Sequence, residues 1–535
     1  MKQYTAHEIN KRYTQASTIK LTWDNEYRQV FEFCMPARAG YQKASLGGSD
    51  NPEFQDRRAN LYTSIGEQSA SEFVNTMQEV LCPPMAKWIS LEAGMRFKEE
   101  EREEVNLELD KLCELANEYK NASYFDMAFS EFCYDVFAGT GCMLVLPGNP
   151  RQPLTFKAIP LKEYCVTEGA NGEVNAVYRK YEMSRELLGQ QWIELKDKEY
   201  TEEELKKDIQ LIECTYYDVD IDAYHYIVVD QASIEILVER EYKTNPFVVL
   251  RWNKCAGESY GRGVGITALN DIKTLNLIKE YSLRNFAYNI PPLLVQEDAM
   301  LDVEGLELTP FSLNVVPDTT SSIVPLQIST DHNVESYKIQ ELTMEIKRNT
   351  FGNTLPNEGS KQLTATEVNA RQMEMRRNLN SVFGRLIAEF QLPLVKRIID
   401  VLASTGIIKK DFNISDIDGL VYKVKINTPI ARQLQQGEAQ SIIQSASLLL
   451  QLDPTGKMLT SSTKVNDMAV YLMNLLGVPP RFVNTKEETD ANQQQQAQAQ
   501  AQAQKQVVEQ DVLATNAKDM GKAEANMAEQ EAMSQ

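Results

Sequence analysis

Residues 267–290 read TALNDIKTLNLIKEYSLRNFAYNI, and this stretch, with the two patterned helices after it, decides the fold. Leu269, Ile272, Leu275, Ile278, Phe286 and Ile290 recur at three- and four-residue spacing, which predicts a helix roughly 36 Å long at 1.5 Å per residue. Pro291-Pro292 stops it. Working outward, Asp331 is an N-cap for a second helix whose apolar positions are Val334, Tyr337, Ile339, Leu342 and Ile346. Lys347 and Arg348 fall in its last turn, where cations suit the helix dipole, and Gly352 ends it. A third helix opens at the capping box Thr364-Ala365-Thr366-Glu367 and is expected to reach Gly406 with a kink at Pro393. The segment Gly352–Leu363, GNTLPNEGSKQL, is then a polar loop held between two long helices. Between the first two helices, Pro291–Thr330 carries short apolar runs (Leu293–Gln296, Leu313–Val316, Ile323–Leu326) broken by prolines, which reads as a small β-rich excursion.

A chain of 535 residues is long enough for three or four lobes. Its 55 basic and 76 acidic residues give a net charge of -21, which excludes nucleic-acid binding through a global basic surface. Loose passage of DNA along an acidic wall stays compatible with it. Eight cysteines are scattered without a CxxC pair and Met1 leads into a polar stretch rather than a signal peptide, so reduced thiols in a cytoplasm are expected. No window approaches eighteen apolar residues, so no membrane span is expected. His7, His225 and His332 lie far apart, and no metal site or cofactor is expected.

Along the chain, residues 1–36 read as a helix pair, Leu61–Leu81 as a helix closed by Cys82-Pro83-Pro84, Lys98–Tyr119 as a charged helix, and Tyr124–Phe137 as a helix burying Phe125, Phe129, Phe132 and Phe137. From Gly141 the period changes. Strands are expected at Met143–Leu146, Phe156–Ile159, Glu163–Val166, Val174–Tyr181, Ile209–Tyr217, Tyr224–Val229, Ile234–Glu239 and Phe247–Trp252, with Asn171-Gly172 as a hairpin turn and a polar helix over Arg185–Lys207. Strands in runs rather than in alternation with helices make residues 1–260 an α+β lobe in a mainly helical chain. After Gly406 come a strand at Val421–Ile426 and helices at Ala431–Leu452 and Ser462–Leu476. Residues 493–504 read QQQQAQAQAQAQ, and a face polar all round points to disorder of this tail in an isolated chain.

Four sequence features bear on chemistry. Gly257-Glu258-Ser259-Tyr260-Gly261 matches the GxSxG nucleophile elbow and admits a serine hydrolase acting through Ser259. The only downstream histidine is His332 and the alternating strands and helices of that fold are missing, so a sharp turn ahead of a long helix is the favoured reading. Gly139-Thr140-Gly141 and Gly261-Arg262-Gly263-Val264-Gly265 give neither a dinucleotide fingerprint nor a phosphate-binding loop and read as turns. Acidic runs such as Glu99-Glu100-Glu101 and Glu202-Glu203-Glu204 read as solvated helix faces. Lys338, Lys347, Arg348 and Lys361 are ordinary surface charges in a monomer and belts around a channel in a ring. A generic helical scaffold or adaptor is the third reading.

The order of these elements resembles the portal proteins, or head-to-tail connectors, of short-tailed (podovirus-type) bacteriophages. The resemblance rests on Cys82-Pro83-Pro84-Met85-Ala86-Lys87-Trp88, on Gly257-Glu258-Ser259-Tyr260-Gly261-Arg262 before a long helix, on Leu363-Thr364-Ala365-Thr366-Glu367-Val368, and on Gln391-Leu392-Pro393-Leu394-Val395. It weakens after about residue 430, and the Gln/Ala tail departs from it. The resemblance implies a ring, a homododecamer at one capsid vertex of the virion assembled in the host cytoplasm. Its lobes would be an α+β wing (1–260), first stem helix (261–290), β-rich clip (291–330), second stem helix (331–351), channel loop (352–363), long kinked wing helix (364–406), helical crown (407–480) and tail (481–535). It further implies a channel for double-stranded DNA lined by Lys338, Lys347, Arg348, Asn353, Asn357, Lys361 and Gln362, and a clip whose Glu297, Asp298, Asp302 and Glu304 meet partners. Those partners would be a terminase motor that hydrolyses ATP, a tail adaptor, and capsid or scaffold proteins; catalytic residues are not expected in this chain.

Overall fold

The computed structural model describes residues 4–38, 60–192, 206–288, 293–296, 313–316, 332–351, 382–408, 421–424, 429–452 and 465–475, with 195, 417, 463 and 521. Two compact units are present, Met1–Phe97 with Glu108–Ala431 and Lys98–Leu107 with Arg432–Gln535.

The first helix, α1 (Ala6–Cys34), is one uninterrupted rod of 29 residues rather than the expected pair. No glycine or proline interrupts it, and Thr5 with Glu8 closes a capping box at its start. Next come α2 (Ile65–Leu81), a three-residue strand β1 (Leu91–Ala93), α3 (Glu99–Asn121) and α4 (Phe125–Ala138). Strands β2 (Thr140–Asn149), β3 (Gln152–Ile159), β4 (Tyr164–Glu168) and β5 (Val174–Ser184) follow, the last two joined by the expected turn, with Gly172 at φ +78°. Helix α5 (Arg185–Gln191) is shorter than expected. It stops where Trp192 turns extended and buries its indole, and residues 193–194 and 196–205 of the expected helix lie outside the described residues. The lobe is completed by β6 (Asp208–Asp218), β7 (Ala223–Asp230), β8 (Glu235–Tyr242) and β9 (Phe247–Arg251).

These strands form two sheets, β3-β2-β9 and β4-β5-β6-β7-β8, antiparallel throughout. Helix α1 lays Ala6, Ile9 and Ala16 on the larger sheet, against Cys165, Tyr178, Ile212, Cys214 and Ile227. Helix α4 contributes Phe125, Phe129 and Phe132 to a stack that ends on Phe390. All described cysteines are free, and all but Cys255 are buried.

Beyond the lobe, α6 (Val264–Tyr288) packs against α7 (His332–Asn349). Strands β10 (Leu293–Gln296) and β11 (Leu313–Val316), paired in parallel, lie between them in the chain. Residues 382–385 are helical and lead through a π-helical turn, Leu386–Gln391, into α8 (Leu392–Ser404). The expected kink at Pro393 is therefore a widened turn: Pro393 has no N–H for the Glu389 carbonyl, and the π turn gives its ring room. Strand β12 (Tyr422–Val424) pairs with β1, a long-range pairing that two strands of three residues each do not announce. Helix α9 (Pro429–Leu452) follows, and in the second unit its Glu438 accepts a hydrogen bond from Tyr471 of α10 (Val465–Leu475) at 2.9 Å. The capping box at Thr364, the run Ile323–Leu326 and the Gln/Ala run 493–504 lie outside the described residues.

A buried polar latch ties α1, α4 and the β3–β4 turn. Lys20 donates to the carbonyls of Leu161 (2.5 Å) and Lys162 (2.9 Å), while Asp135 accepts from the Leu161 N–H (3.1 Å) and from Arg38 (3.3 Å). Desolvation pushes the Asp135 carboxyl up to about 7 against the pull of Arg38 and Lys20. A carboxyl raised in the fold stabilises it fully below the unfolded value, near 4, and this is lost as pH rises through about 7. Asp135→Asn should therefore gain on the native protein by on the order of 2 kcal/mol between pH 5 and pH 8, read as the difference in urea midpoint. A constant difference across that range would show that Asp135 titrates normally.

Candidate functional site

The helix pair α6 and α7 is rooted where two glycine clusters cross. The Gly139 carbonyl accepts from Trp252 N–H at 2.9 Å, and Gly263 N–H donates to the Ala138 carbonyl at 3.1 Å. Gly261 N–H donates to Thr140 Oγ1 (2.9 Å), and the Gly261 carbonyl accepts from the buried Tyr27 hydroxyl (2.8 Å). A Cβ on Gly261 would sit 2.5 Å from the Gly139 carbonyl oxygen, and one on Gly263 2.6 Å from the Gly139 nitrogen. The clusters are thus a backbone-to-backbone crossing, which no side chain fits, rather than the independent turns expected from sequence.

The GxSxG motif is absorbed by the same root. Its left-handed residue is Gly257 (φ +84°), not Ser259, so the strained nucleophile geometry is missing. Glu258 pairs with Arg262 at 2.7 Å, Tyr260 is buried and its hydroxyl accepts from Val166 N–H at 3.1 Å, and the Ser259 carbonyl accepts from Arg251 at 3.5 Å. The three histidines lie on other elements: His7 in the first turn of α1, His225 buried on β7, 3.5 Å from Asp218, and His332 at the start of α7.

Arg251, whose side chain is 1% exposed, is a buried ionic centre beside this root. It contacts Glu168, donates to Glu389 through Nη2 (2.7 Å) and Nε (3.2 Å), and reaches the Gly172 carbonyl (2.8 Å); its own backbone N–H also donates to Glu389 (3.0 Å). Lys254 shares Glu168. One guanidinium therefore joins β9, the β4–β5 hairpin and the π turn. The sequence holds a signal for it, a single arginine at the end of the apolar run Phe247–Trp252, yet its acidic partners lie 83 and 138 residues away.

Among the residues expected to face a channel, Lys338 is exposed on α7 and donates to Glu341 at 2.7 Å, a bond that raises its pKa. Lys347 is half-buried and Arg348 exposed, in the last turn of the same helix. The structure thus brings these three onto one helix. Asn353, Asn357, Lys361 and Gln362, and the clip residues Glu297, Asp298, Asp302 and Glu304, lie outside the described residues. Among the described residues, no group of three or more His, Cys, Asp or Glu could hold a metal ion, and no helix is long and apolar enough to cross a membrane.

The family described as bacteriophage head to tail connecting protein matches residues 6–483. No curated protein matches the chain. Solved structures similar to it include a chain from the neck of an empty gene transfer agent (GTA) particle computed with C6 symmetry, at TM-score 0.31 and 11% identity over 84% of this chain and 98% of that one. Others come from the virion of a native GTA particle (TM-score 0.29, 12% identity, 84% and 99%) and the neck of a native GTA particle computed with C12 symmetry (TM-score 0.29, 11%, 84% and 98%).

The glycine crossing makes a direct prediction. Gly263→Ala forces a Cβ into backbone atoms that cannot move aside and should cost about 3 kcal/mol or more. Gly384→Ala, on the helix with open space around it, should be neutral or stabilise by about 0.5–1 kcal/mol. Urea unfolding of both variants checks the contrast, and equal effects would remove the crossing as a constraint.

Proposed function

The chain belongs to the bacteriophage head to tail connecting protein family, and from that premise we propose that it is the portal of a short-tailed phage, a homododecameric ring at one capsid vertex of the virion. The observation that carries this reading is the helix pair α6 and α7, packed together, with paired strands β10 and β11 between them in the chain. In this reading the pair is the stem, residues 291–330 are the clip, 1–260 and 364–406 the wing, and 407–480 the crown.

Double-stranded DNA passes through the ring during packaging and ejection. An acidic chain repels phosphates and keeps the duplex from sticking, while Lys338, Lys347 and Arg348, repeated around a ring, give shallow belts of positive charge. The loop 352–363, with Asn353, Asn357, Lys361 and Gln362, is the segment that touches the duplex. Glu297, Asp298, Asp302 and Glu304 present an acidic clip to the terminase motor and, after packaging, to a tail adaptor; capsid or scaffold proteins meet the wing. The chemistry of ATP hydrolysis belongs to the motor.

Native mass measurement should find a ring near twelve copies. Removing Asn353–Glu358 should leave assembly intact, because the segment GNTLPNEGSKQL holds little apolar surface, and should abolish DNA packaging or retention. A monomeric native protein would defeat the ring, whereas normal packaging by the shortened protein would defeat only the role of the loop.

A further inference from the structure

The five-stranded sheet ends on β8, which is hydrogen-bonded to β7 alone. Among the described residues, nothing pairs with the outer edge of residues 235–239, so that edge presents open N–H and C=O groups. Helix α1 stops short of it. The apolar cluster beneath α1 takes residues from β4, β5, β6 and β7 and none from β8. Register sets Ile236 opposite Val229, Glu239 opposite Ile227 and Glu241 opposite His225, which puts all three on the α1 side of the sheet, past the cover that the helix gives. Ile236 is 38% exposed, Ile234 in the turn before it 41%, and both glutamates are exposed.

The charge around this edge is nearly of one sign. Within residues 218–243, Asp220, Asp222, Glu235, Glu239 and Glu241 are exposed, against Lys243 as the one exposed base. Arg240 lies on the other face, opposite Tyr226, and Arg12 of α1 is held over the Tyr4 ring at 3.9 Å. Charges and bulges on an edge strand guard it against pairing, and β8 has both, with a register shift opposite Val228 and Val229. A guard of one sign is selective, however. It repels an acidic strand, the same edge of a second copy included, and leaves a basic one attracted. Two exposed isoleucines add nothing to a guard, whereas they give an added strand apolar surface to cover.

We propose that β8 receives a basic, extended segment of another protein as a sixth strand of this sheet. Main-chain hydrogen bonds to the outer edge hold such a segment whatever its sequence. Lysines or arginines two positions apart then meet Glu239 and Glu241, and an apolar residue covers Ile236. Phosphate backbones meet only repulsion here, so the partner is a protein. The inference stands apart from the ring reading above.

The test uses the full-length protein and a labelled eight-residue peptide of alternating lysine and valine, with a control in which two valines are replaced by proline, which lacks the N–H that a strand needs. The alternating peptide should bind, more weakly as salt is raised, and should slow amide exchange along residues 235–239, while the proline peptide should do neither. Glu239→Lys with Glu241→Lys should weaken binding by about tenfold without lowering the melting temperature. Absence of binding overturns the proposal, as does equal binding of the proline peptide, which would mean simple adsorption of a cation to an acidic surface. Amides of 235–239 that already exchange slowly in the assembled native protein, with no peptide bound, would overturn it in favour of a second copy of this chain as the occupant. The proline control and the exchange measurement need no variant, so they decide the matter even if the double variant folds poorly.

Discussion

Everything in the first unit depends on one crossing of bare backbone. Where α4 ends at Gly139 and the chain later passes Gly261 and Gly263 into α6, Gly263 donates a peptide hydrogen bond to Ala138 and the two backbones lie closer than any side chain permits. Gly265 continues the fit, since a Cβ there would lie 2.6 Å from the Phe137 ring. This fixes where α6 leaves the sheets, and Thr140, Tyr27 and Tyr260 close the remaining donors and acceptors around it. A helix 25 residues long is therefore aimed by about five residues at its base.

The second level of organisation is ionic and buried. Arg179 joins Glu163 (3.0 Å) and the fully buried Glu213 (3.1 Å) inside the larger sheet, with Tyr226 also on Glu213. Arg397 reaches the Val145 carbonyl (3.0 Å) and Asp400 (3.3 Å) and lies over Tyr242, tying α8 to both sheets. Desolvation lowers the pKa of Arg397 from its ordinary value. Such centres add little net stability compared with apolar packing, but losing one partner strands a charge in the interior. They act as registers, each accepting one arrangement of three elements.

Element types were legible wherever one residue period ran long. The stripe Leu269, Ile272, Leu275 is buried as its spacing demands, and the hairpin turn at Asn171-Gly172 forms where it was expected. Boundaries followed capping and proline signals to within a few residues. Illegible were features whose cause lies far away in the chain: the π turn that answers Arg251 as well as Pro393, the β1–β12 pairing, and the meeting of two glycine clusters 122 residues apart, from Gly139 to Gly261. Ser259 illustrates the opposite failure. Its motif is correct in letters, but the glycines serve a crossing that the pattern cannot describe. Lys338, Lys347 and Arg348 were readable as charges of one helix, whereas the left-handed backbone at Met85 and Tyr124 was not, since the sign of φ leaves no trace in composition.

The π turn at Leu386–Gln391 has a consequence in terms of chain length. A π turn is an α-helix with one residue too many, and one residue is worth about 100° of rotation about the helix axis. The helical residues 382–385 therefore face a direction offset by about that angle from the one an unbroken α-helix into α8 would give them. Glu389 holds the surplus residue in place by gripping Arg251. The orientation of this helix is thus stored as a count, and a single insertion or deletion would reset it where no single substitution of the exposed face could.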